Sequence, residues 1–148
     1  MLRVDPKINT ITLVLITLIV GSLASSNTGT DTWYQGLIKS SLNPPGYVFG
    51  IVWPILYLLM SISAYRNFDS IAKIFFIQLF FNTIWSWLFF FYHLSFIALL
   101  DIWLLIFLNI NILIVLAKKD KLAMILYIPY VIWLLFASYL NIFIVINN

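Results

Sequence analysis

The chain has 148 residues, of which 64% are hydrophobic and only 9% are charged, with a formal net charge of +3 and no cysteine. In soluble domains about a quarter of the residues are charged, and small domains leave much of their surface exposed to water. This composition therefore excludes a soluble enzyme, a nucleic-acid-binding protein and a disordered chain. The lack of cysteine excludes disulfides, thiolate metal ligands and cysteine nucleophiles.

Five apolar stretches follow one another along the chain, each close to the roughly 20 residues that a helix needs to cross a membrane. They predict helices at about 8–24, 47–65, 71–91, 95–117 and 122–146. The connections between the last four stretches are very short, which predicts antiparallel neighbours in one compact domain, 1–148. The predicted fold is an all-α integral membrane protein, a bundle of five transmembrane helices, with one long polar outer connection at 25–46.

The first stretch allows a second interpretation. Arg3 and Lys7 precede it and the small residues 22–25 end it, a pattern that is also typical of a cleaved secretory signal peptide. We favour an uncleaved helix, because cleavage would leave four spans to carry the long connection.

The basic residues predict the orientation of the bundle. With five spans, seven Lys and Arg side chains fall on the face that holds the N-terminus, and only Lys39 falls on the other face. This split predicts a cytoplasmic N-terminus, with the long connection and the C-terminus outside. The seven residues are Arg3, Lys7, Arg66, Lys73, Lys118, Lys119 and Lys121.

Helical periodicity places aromatic, polar and small side chains on three stripes that reach into the outer half of the membrane. The stripes are Gln78, Asn82, Trp85 and Phe89; Tyr130, Trp133, Ala137 and Asn141; and Gly50, Trp53, Tyr57 and Ala64. Such stripes are typical of plain helix–helix contact as well as of a ligand cavity.

The depth of the tryptophans separates two groups. Trp33 and Trp87 suit an interfacial aromatic belt, whereas four others lie too far from the predicted helix ends and favour a lined cavity. The deeper group is Trp53, Trp85, Trp103 and Trp133.

Two ionisable residues in the outer half need separate interpretation. Asp101 lies inside a predicted span, where a carboxylate is costly. We interpret it as a structural group that either is protonated or accepts hydrogen bonds, and Lys39 is the one cation expected near enough to pair with it. His93 falls in a tight turn and is interpreted as a turn residue. No metal site is predicted because no cysteine or second histidine accompanies it, and no catalytic grouping of serine, histidine and aspartate is present.

A series of motifs occurs in order along the chain and resembles the TspO/MBR family, which comprises tryptophan-rich sensory proteins and translocator proteins of the peripheral-type benzodiazepine receptor class. The motifs are Trp33–Leu37, Asn43–Pro45, Val48–Trp53, Leu56–Met60, Asn82–Trp85, Leu88–Phe90, Ala98–Asp101, Pro129–Tyr130, Trp133, Phe136–Ala137 and Tyr139–Asn141. The resemblance covers the last four predicted helices in full and the first by position.

The resemblance implies a five-helix protein, commonly a homodimer, with a ligand cavity beside the long connection. Family members bind porphyrins such as protoporphyrin IX and lipophilic aromatic drugs, so porphyrin is expected as a ligand and no cofactor is required. The pocket positions of the family correspond to Trp53, Asn82, Trp85, Phe89, Trp133 and Ala137, and the lid positions to Trp33, Tyr34, Pro44 and Pro45. Tyr57 shares the stripe of Trp53 and completes the expected ligand-binding set.

The resemblance favours a membrane receptor or sensor for tetrapyrroles and other lipophilic aromatic molecules. Two alternatives stay open: a transporter of these ligands, or a slow enzyme that degrades porphyrin in light, for which Trp53 and Trp133 are the candidate catalytic residues. Expected partners are the ligand and membrane lipids, without nucleic acid. A prokaryotic plasma membrane is the expected location, or the mitochondrial outer membrane in a eukaryote.

Two departures from the family pattern concern local geometry. The family often has proline two residues before the tryptophan that corresponds to Trp53, where this chain has Ile51, and proline after the tryptophan that corresponds to Trp85, where it has Ser86. Helix kinks are therefore expected to differ. No basic residue follows Tyr139, so cholesterol recognition is not predicted.

Overall fold

The structure, a computed structural model, describes residues 6–148, with side chains described for 8–148, and this part of the chain is helical without strands. Six α-helices follow in chain order: α1 (Pro6–Ala24), α2 (Thr32–Gly36), α3 (Gly46–Arg66), α4 (Phe68–Ser86), α5 (Ser95–Lys119) and α6 (Lys121–Asn147). A π-helical turn, Trp87–Phe91, extends α4. With that turn included, the long helices begin and end within three residues of the predicted spans.

The helices are long and apolar in the way that a bilayer requires. Within the described residues four helices are long and apolar enough to cross a membrane, namely α3, α4 with its π-helical turn, α5 and α6, and α1 supplies a shorter apolar helix over Ile8–Ala24. A helix satisfies its own backbone hydrogen bonds, which hydrocarbon cannot do. The prediction of an all-α integral membrane protein is confirmed at this level.

The five long helices pack in a closed ring. α6 packs against α5 and α3, α5 against α4, and α1 closes the ring by packing against both α4 and α3. The ring has two ends. We call the end with the connection 25–46 and the turn 92–94 the lid end, and the end with Asn67 and Asp120 the basic end.

The basic end is fixed by one carboxylate. Asp120 caps α6 by accepting hydrogen bonds from the backbone N–H groups of Leu122 and Ala123, both at 3.1 Å. Its other oxygen accepts from Arg66 Nε at 2.8 Å and from Asn67 Nδ2 at 3.2 Å. The hydrogen bond from Arg66, the cap and the charge of Arg66 lower the pKa of Asp120 from 3.8 to about 2.

The half of the bundle next to the basic end has a tightly packed interior. Met60, Ile71, Phe75, Leu116 and Tyr127 are at most 1% exposed. Ala123 is also buried, and its carbonyl accepts a hydrogen bond from Ser63 Oγ at 2.8 Å, which joins α6 to α3. Small residues at such contacts let membrane helices approach closely.

The described basic residues on which the orientation prediction depends lie at the ends of the bundle where the sequence predicts them. Arg66, Lys118, Lys119 and Lys121 lie at the basic end, Lys73 lies in the second turn of α4 from that end, and Lys39 lies at the lid end. Arg3 falls outside the described residues, and the side chain of Lys7 is likewise not described.

Candidate functional site

A cavity of about 990 Å³ opens between the helices at the lid end. All five long helices and the connection 25–46 contribute to its wall. The wall residues of the helices include Leu18, Ser22, Phe49, Gly50, Trp53, Tyr57, Asn82, Trp85, Phe90, Ile102, Leu105, Trp133 and Ala137, and those of the connection include Tyr34, Gln35, Lys39, Asn43, Pro44 and Pro45.

One face of α3 runs along the full depth of the cavity. Gly46, Phe49, Gly50, Trp53 and Tyr57 all line it and recur at helical spacing. From Gly46 to Tyr57 the helix rises by about 16 Å at 1.5 Å per residue, which gives the depth of the site. A Cβ atom added at Gly50 would meet nothing within 4 Å, so this glycine leaves one side of the wall open.

The deep part of the cavity is aromatic. The indoles of Trp53 and Trp133 meet edge to face, with ring centroids 6.3 Å apart and an interplanar angle of 85°. Phe49 contacts Trp133 in the same way at 5.8 Å. Ala137, one turn from Trp133 on α6, adds little bulk to this part of the wall. These rings give the cavity an apolar aromatic surface against which a flat apolar molecule can stack.

Below the aromatic rings, a chain of hydrogen bonds forms the floor. Tyr57 donates its hydroxyl proton to Asn82 Oδ1. Asn82 Nδ2 donates to the hydroxyl of Tyr130 at 2.7 Å, and that hydroxyl donates to Gln78 Oε1 at 2.8 Å. Asn109 donates to the same Gln78 oxygen at 3.3 Å. An amide has two N–H donors and two carbonyl lone pairs, so Asn82 keeps one donor and one acceptor site for a ligand.

The connection 25–46, called the lid loop from this point, is anchored by the turn between α4 and α5. Asp31 caps α2 by accepting from Trp33 N at 3.0 Å, and its second oxygen lies 2.9 Å from His93 Nε2. The His93 ring stacks on Trp33 at 4.2 Å between centroids. His93 adopts a φ of 57°, a left-handed conformation in a tight turn. The interpretation of His93 as a turn residue therefore omits its contact with the lid loop.

A second anchor joins the lid loop to the end of α6. Ser40 Oγ lies 2.8 Å from the hydroxyl of Tyr139. The Asn148 side chain accepts from Ile38 N at 2.8 Å and donates to Ile38 O at 3.1 Å. Held at both sides, the lid loop covers the cavity mouth with Tyr34 and the polar residues around it.

The structure brings seven of the nine predicted ligand-binding residues to this wall: Tyr34, Trp53, Tyr57, Asn82, Trp85, Trp133 and Ala137. The other two, Trp33 and Phe89, lie behind it. Trp33 packs edge to face on Phe89 at 5.7 Å, and Phe89 is 4% exposed in a small cluster with Ala98 and Ile144.

The π-helical turn explains why Phe89 is replaced in the wall. Its backbone bond runs from Tyr92 N to Trp87 O at 2.9 Å, one residue longer than in an α-helix. The extra residue in the turn moves the inward face from Phe89 to Phe90, which lines the cavity. Sequence periodicity assumes a regular α-helix and could not find this shift. The sequence prediction also omits Phe49 from the wall, although Phe49 lies one helical turn before Trp53 and therefore on the same face of α3.

Trp103 does not belong to the cavity, contrary to the prediction from its depth. The side chain is 47% exposed on the outside of the bundle, and its indole N–H donates to Ser138 Oγ at 3.0 Å. A polar partner on the neighbouring helix holds this indole at mid-depth, so depth alone does not indicate a cavity residue.

The far ends of the predicted stripes are also buried contacts rather than wall. Gln78 and Tyr130 are fully buried in the hydrogen-bond chain, and Asn141 bonds to Trp85 Nε1 at 3.3 Å and to Ser95 O at 2.9 Å. Asp101 is 8% exposed, and its Oδ2 has no hydrogen-bond partner. Lys39 donates to the Tyr34 carbonyl instead of pairing with Asp101. Within the described residues no group of three metal-ligating side chains occurs.

The comparison with known families agrees with this geometry. Residues 10–146 match the model of the TspO/MBR family. The chain belongs to the TspO/MBR family. The match covers every long helix and the lid loop, so the cavity in this chain is built from family positions.

Curated TspO relatives come from archaea and bacteria. The chain is 34% identical to the tryptophan-rich protein TspO of Archaeoglobus fulgidus over 144 residues, which cover 91% of this chain and 94% of the relative. It is 34% identical to protein CrtK of Rhodobacter capsulatus, covering 74% of each chain. It is 33% identical to a tryptophan-rich sensory protein of Cereibacter sphaeroides, covering 75% of this chain and 73% of the relative. These relatives fit a prokaryotic membrane.

Proposed function

We propose that this TspO/MBR protein is a membrane receptor that binds a tetrapyrrole such as protoporphyrin IX, or another flat lipophilic molecule, in the lid-end cavity. The observation that carries the proposal is a cavity of about 990 Å³ whose wall includes the indoles of Trp53 and Trp133. Drug-sized ligands occupy sites of about 300–1,000 Å³, so the space accommodates one large planar ring system.

The chemistry of the wall supports an apolar ligand with few polar groups. Indole and phenyl faces stack on flat rings, and Ala137 leaves room beside Trp133. Asn82 retains one N–H, which can donate to a ligand carbonyl, and one oxygen lone pair, which can accept from a pyrrole N–H. The polar groups of the floor bond to one another, whereas the buried indole N–H of Trp133 has no hydrogen-bond partner and can donate to an acceptor on a ligand.

The proposal includes a topology. We propose that α1 also spans the membrane, which gives five crossings, with the basic end cytoplasmic and the lid end outside. The support is the distribution of charge: Arg66, Lys118, Lys119 and Lys121 lie at one end and Lys39 at the other. A cysteine introduced at Gly29 in the lid loop should react with a membrane-impermeant maleimide in intact cells, and one introduced at Lys119 should not.

Two other activities are distinguished by experiment. Transport predicts porphyrin flux into proteoliposomes. Light-dependent degradation predicts a new absorbing product under illumination that disappears in Trp133→Phe. A homodimer also stays a prediction, which the mass of the protein in detergent can test.

The test of binding is a titration with protoporphyrin IX in neutral detergent, followed by protein fluorescence. We expect saturable quenching in the wild type and at least fivefold weaker affinity in Trp53→Phe, because a smaller ring loses part of the stacking area, worth about 1 kcal/mol. Trp103→Phe is the matched control, since that indole lies outside the cavity, and its affinity should equal that of the wild type. Equal affinities of all three proteins would contradict the site.

A further inference from the structure

The wall of the cavity contains one charged group. Of the described residues that line it, only Lys39 carries a charge, and the rest are aromatic, aliphatic or neutral polar residues. No carboxylate among the described residues forms an ion pair with Lys39. The two ion pairs among these residues join Arg66 to Asp120 and His93 to Asp31. The cavity therefore has an uncompensated positive charge in its wall.

The ammonium group of Lys39 is held in place at the mouth. Its Nζ donates a hydrogen bond to the carbonyl of Tyr34 and lies 4.4 Å from the centroid of the Tyr34 ring. An ammonium group has three N–H donors, so two remain for another acceptor. Partial burial lowers the pKa of Lys39 from its ordinary value, which is the direction expected when a cation loses water without gaining an anion.

The two ends of the cavity differ in the ligand groups that they suit. The lid-loop residues that line the mouth include Lys39 and the neutral polar Gln35 and Asn43. Deeper in the cavity lie Trp53 and Trp133, and Trp53 is about 10 Å along α3 from Gly46. A molecule that satisfies both ends has a flat apolar body and an anionic group at one extremity.

We propose that Lys39 is a specificity-determining residue that selects amphipathic anions for the cavity, with the flat body against the indoles and the anionic group at the mouth. This inference rests on the proposed function and names the charge and the orientation of its ligand. A single lysine recognises charge as a compact point rather than the shape of a particular anion. A carboxylate is therefore a sufficient probe of the class.

The test uses two probes with one body. Pyrenebutyric acid and pyrenebutanol share the pyrene ring and the butyl chain, and only the acid is an anion at pH 7. Each is titrated into the full chain in neutral detergent, and energy transfer from tryptophan to pyrene reports binding. For the wild type we expect the acid to bind about tenfold more tightly than the alcohol, as a charge-assisted hydrogen bond in a partly desolvated site provides.

Substitutions locate the charge effect. Lys39→Gln should weaken the acid by about tenfold and leave the alcohol within about twofold, while Lys39→Arg should keep the preference for the acid. Lys121→Gln removes the same charge at the basic end and is the matched control, with no change expected for either probe. Thermal unfolding of each variant checks that the fold is retained.

The outcomes separate this inference from the proposed function. Saturable binding of both probes with equal affinity, or equal losses for acid and alcohol in Lys39→Gln, would overturn the inference and leave the cavity function standing. A preference for the acid that Lys121→Gln removes as well would also overturn it, because the effect would then follow net charge. Failure of both probes and of protoporphyrin IX to bind the wild type would overturn the proposed function itself.

Discussion

The two halves of this bundle are built from the same helices but differ in how their interiors are filled. Next to the basic end, Phe75, Met60 and Tyr127 fill the interior completely. At the lid end, the same helices surround a cavity of about 990 Å³, and the lid loop contributes to its wall. The difference teaches that the packed half can supply the stability of the fold, which leaves the other half free to keep a space for a ligand.

The comparison predicts its largest effect in the packed half. Phe75→Ala should lower the free energy of unfolding by about 3–5 kcal/mol, because the side chain is fully buried and its removal leaves a void. Unfolding by SDS in mixed micelles, followed by circular dichroism, measures the change. The matched control is Phe107→Ala on the outer surface, where Phe107 is 64% exposed, with an expected change below about 0.5 kcal/mol. Equal losses in the two variants would refute the division into halves.

Filling the cavity should separate binding from stability. Ala137→Leu places three extra carbon atoms beside Trp133 and should weaken protoporphyrin IX binding by at least about tenfold, while stability changes by less than about 1 kcal/mol because the space is already empty. Ala117→Leu adds the same atoms on an exposed face of α5 and should leave affinity unchanged. If Ala137→Leu destabilised the fold as strongly as a core substitution, that part of the lid half would be packed rather than open.

The lid loop should control how fast a ligand leaves. His93→Asn removes the ring that stacks on Trp33 and the hydrogen bond to Asp31, while asparagine still tolerates the left-handed backbone at this turn. Loss of about 1 kcal/mol of lid contact should raise the dissociation rate about fivefold. Stopped-flow displacement measures that rate. Tyr92→Asn, at an exposed neighbour in the same turn, should leave it unchanged, and equal rates in both variants would argue against a lid role for His93.

The smallest effect concerns the carboxylate at the basic end. The pKa of Asp120 is about 2 in the folded protein against an ordinary value of 3.8, so its ionised form stabilises the fold above pH 3.8, and this contribution is lost as the pH falls towards 2. The stability difference between wild type and Asp120→Asn should therefore shrink across this interval and vanish near its lower limit. Thermal unfolding at several pH values measures it, and a difference that grows on acidification would have the wrong sign. Lid-end binding should be insensitive to this substitution at pH 7.

The helices themselves were predictable from the sequence, because apolar length and short connections determine them. Most of the cavity wall was predictable too: Trp53, Asn82 and Trp133 lie on regular helical faces that the family motifs mark. The exceptions have physical causes. The π-helical turn exchanges Phe89 for Phe90, a backbone change without a periodic signal, and Trp103 finds a polar partner in Ser138 outside the cavity. The contact of His93 with Asp31 joins residues 62 positions apart, which a single sequence does not reveal.

The most direct test of the account is an experimental structure of the protein with protoporphyrin IX bound. The account predicts density for the flat macrocycle beneath the lid loop, in contact with Trp53 and Trp133 and with its acidic edge towards Lys39. Density for the porphyrin only on the lipid-facing surface, with side chains closing the space between α3 and α6, would contradict it.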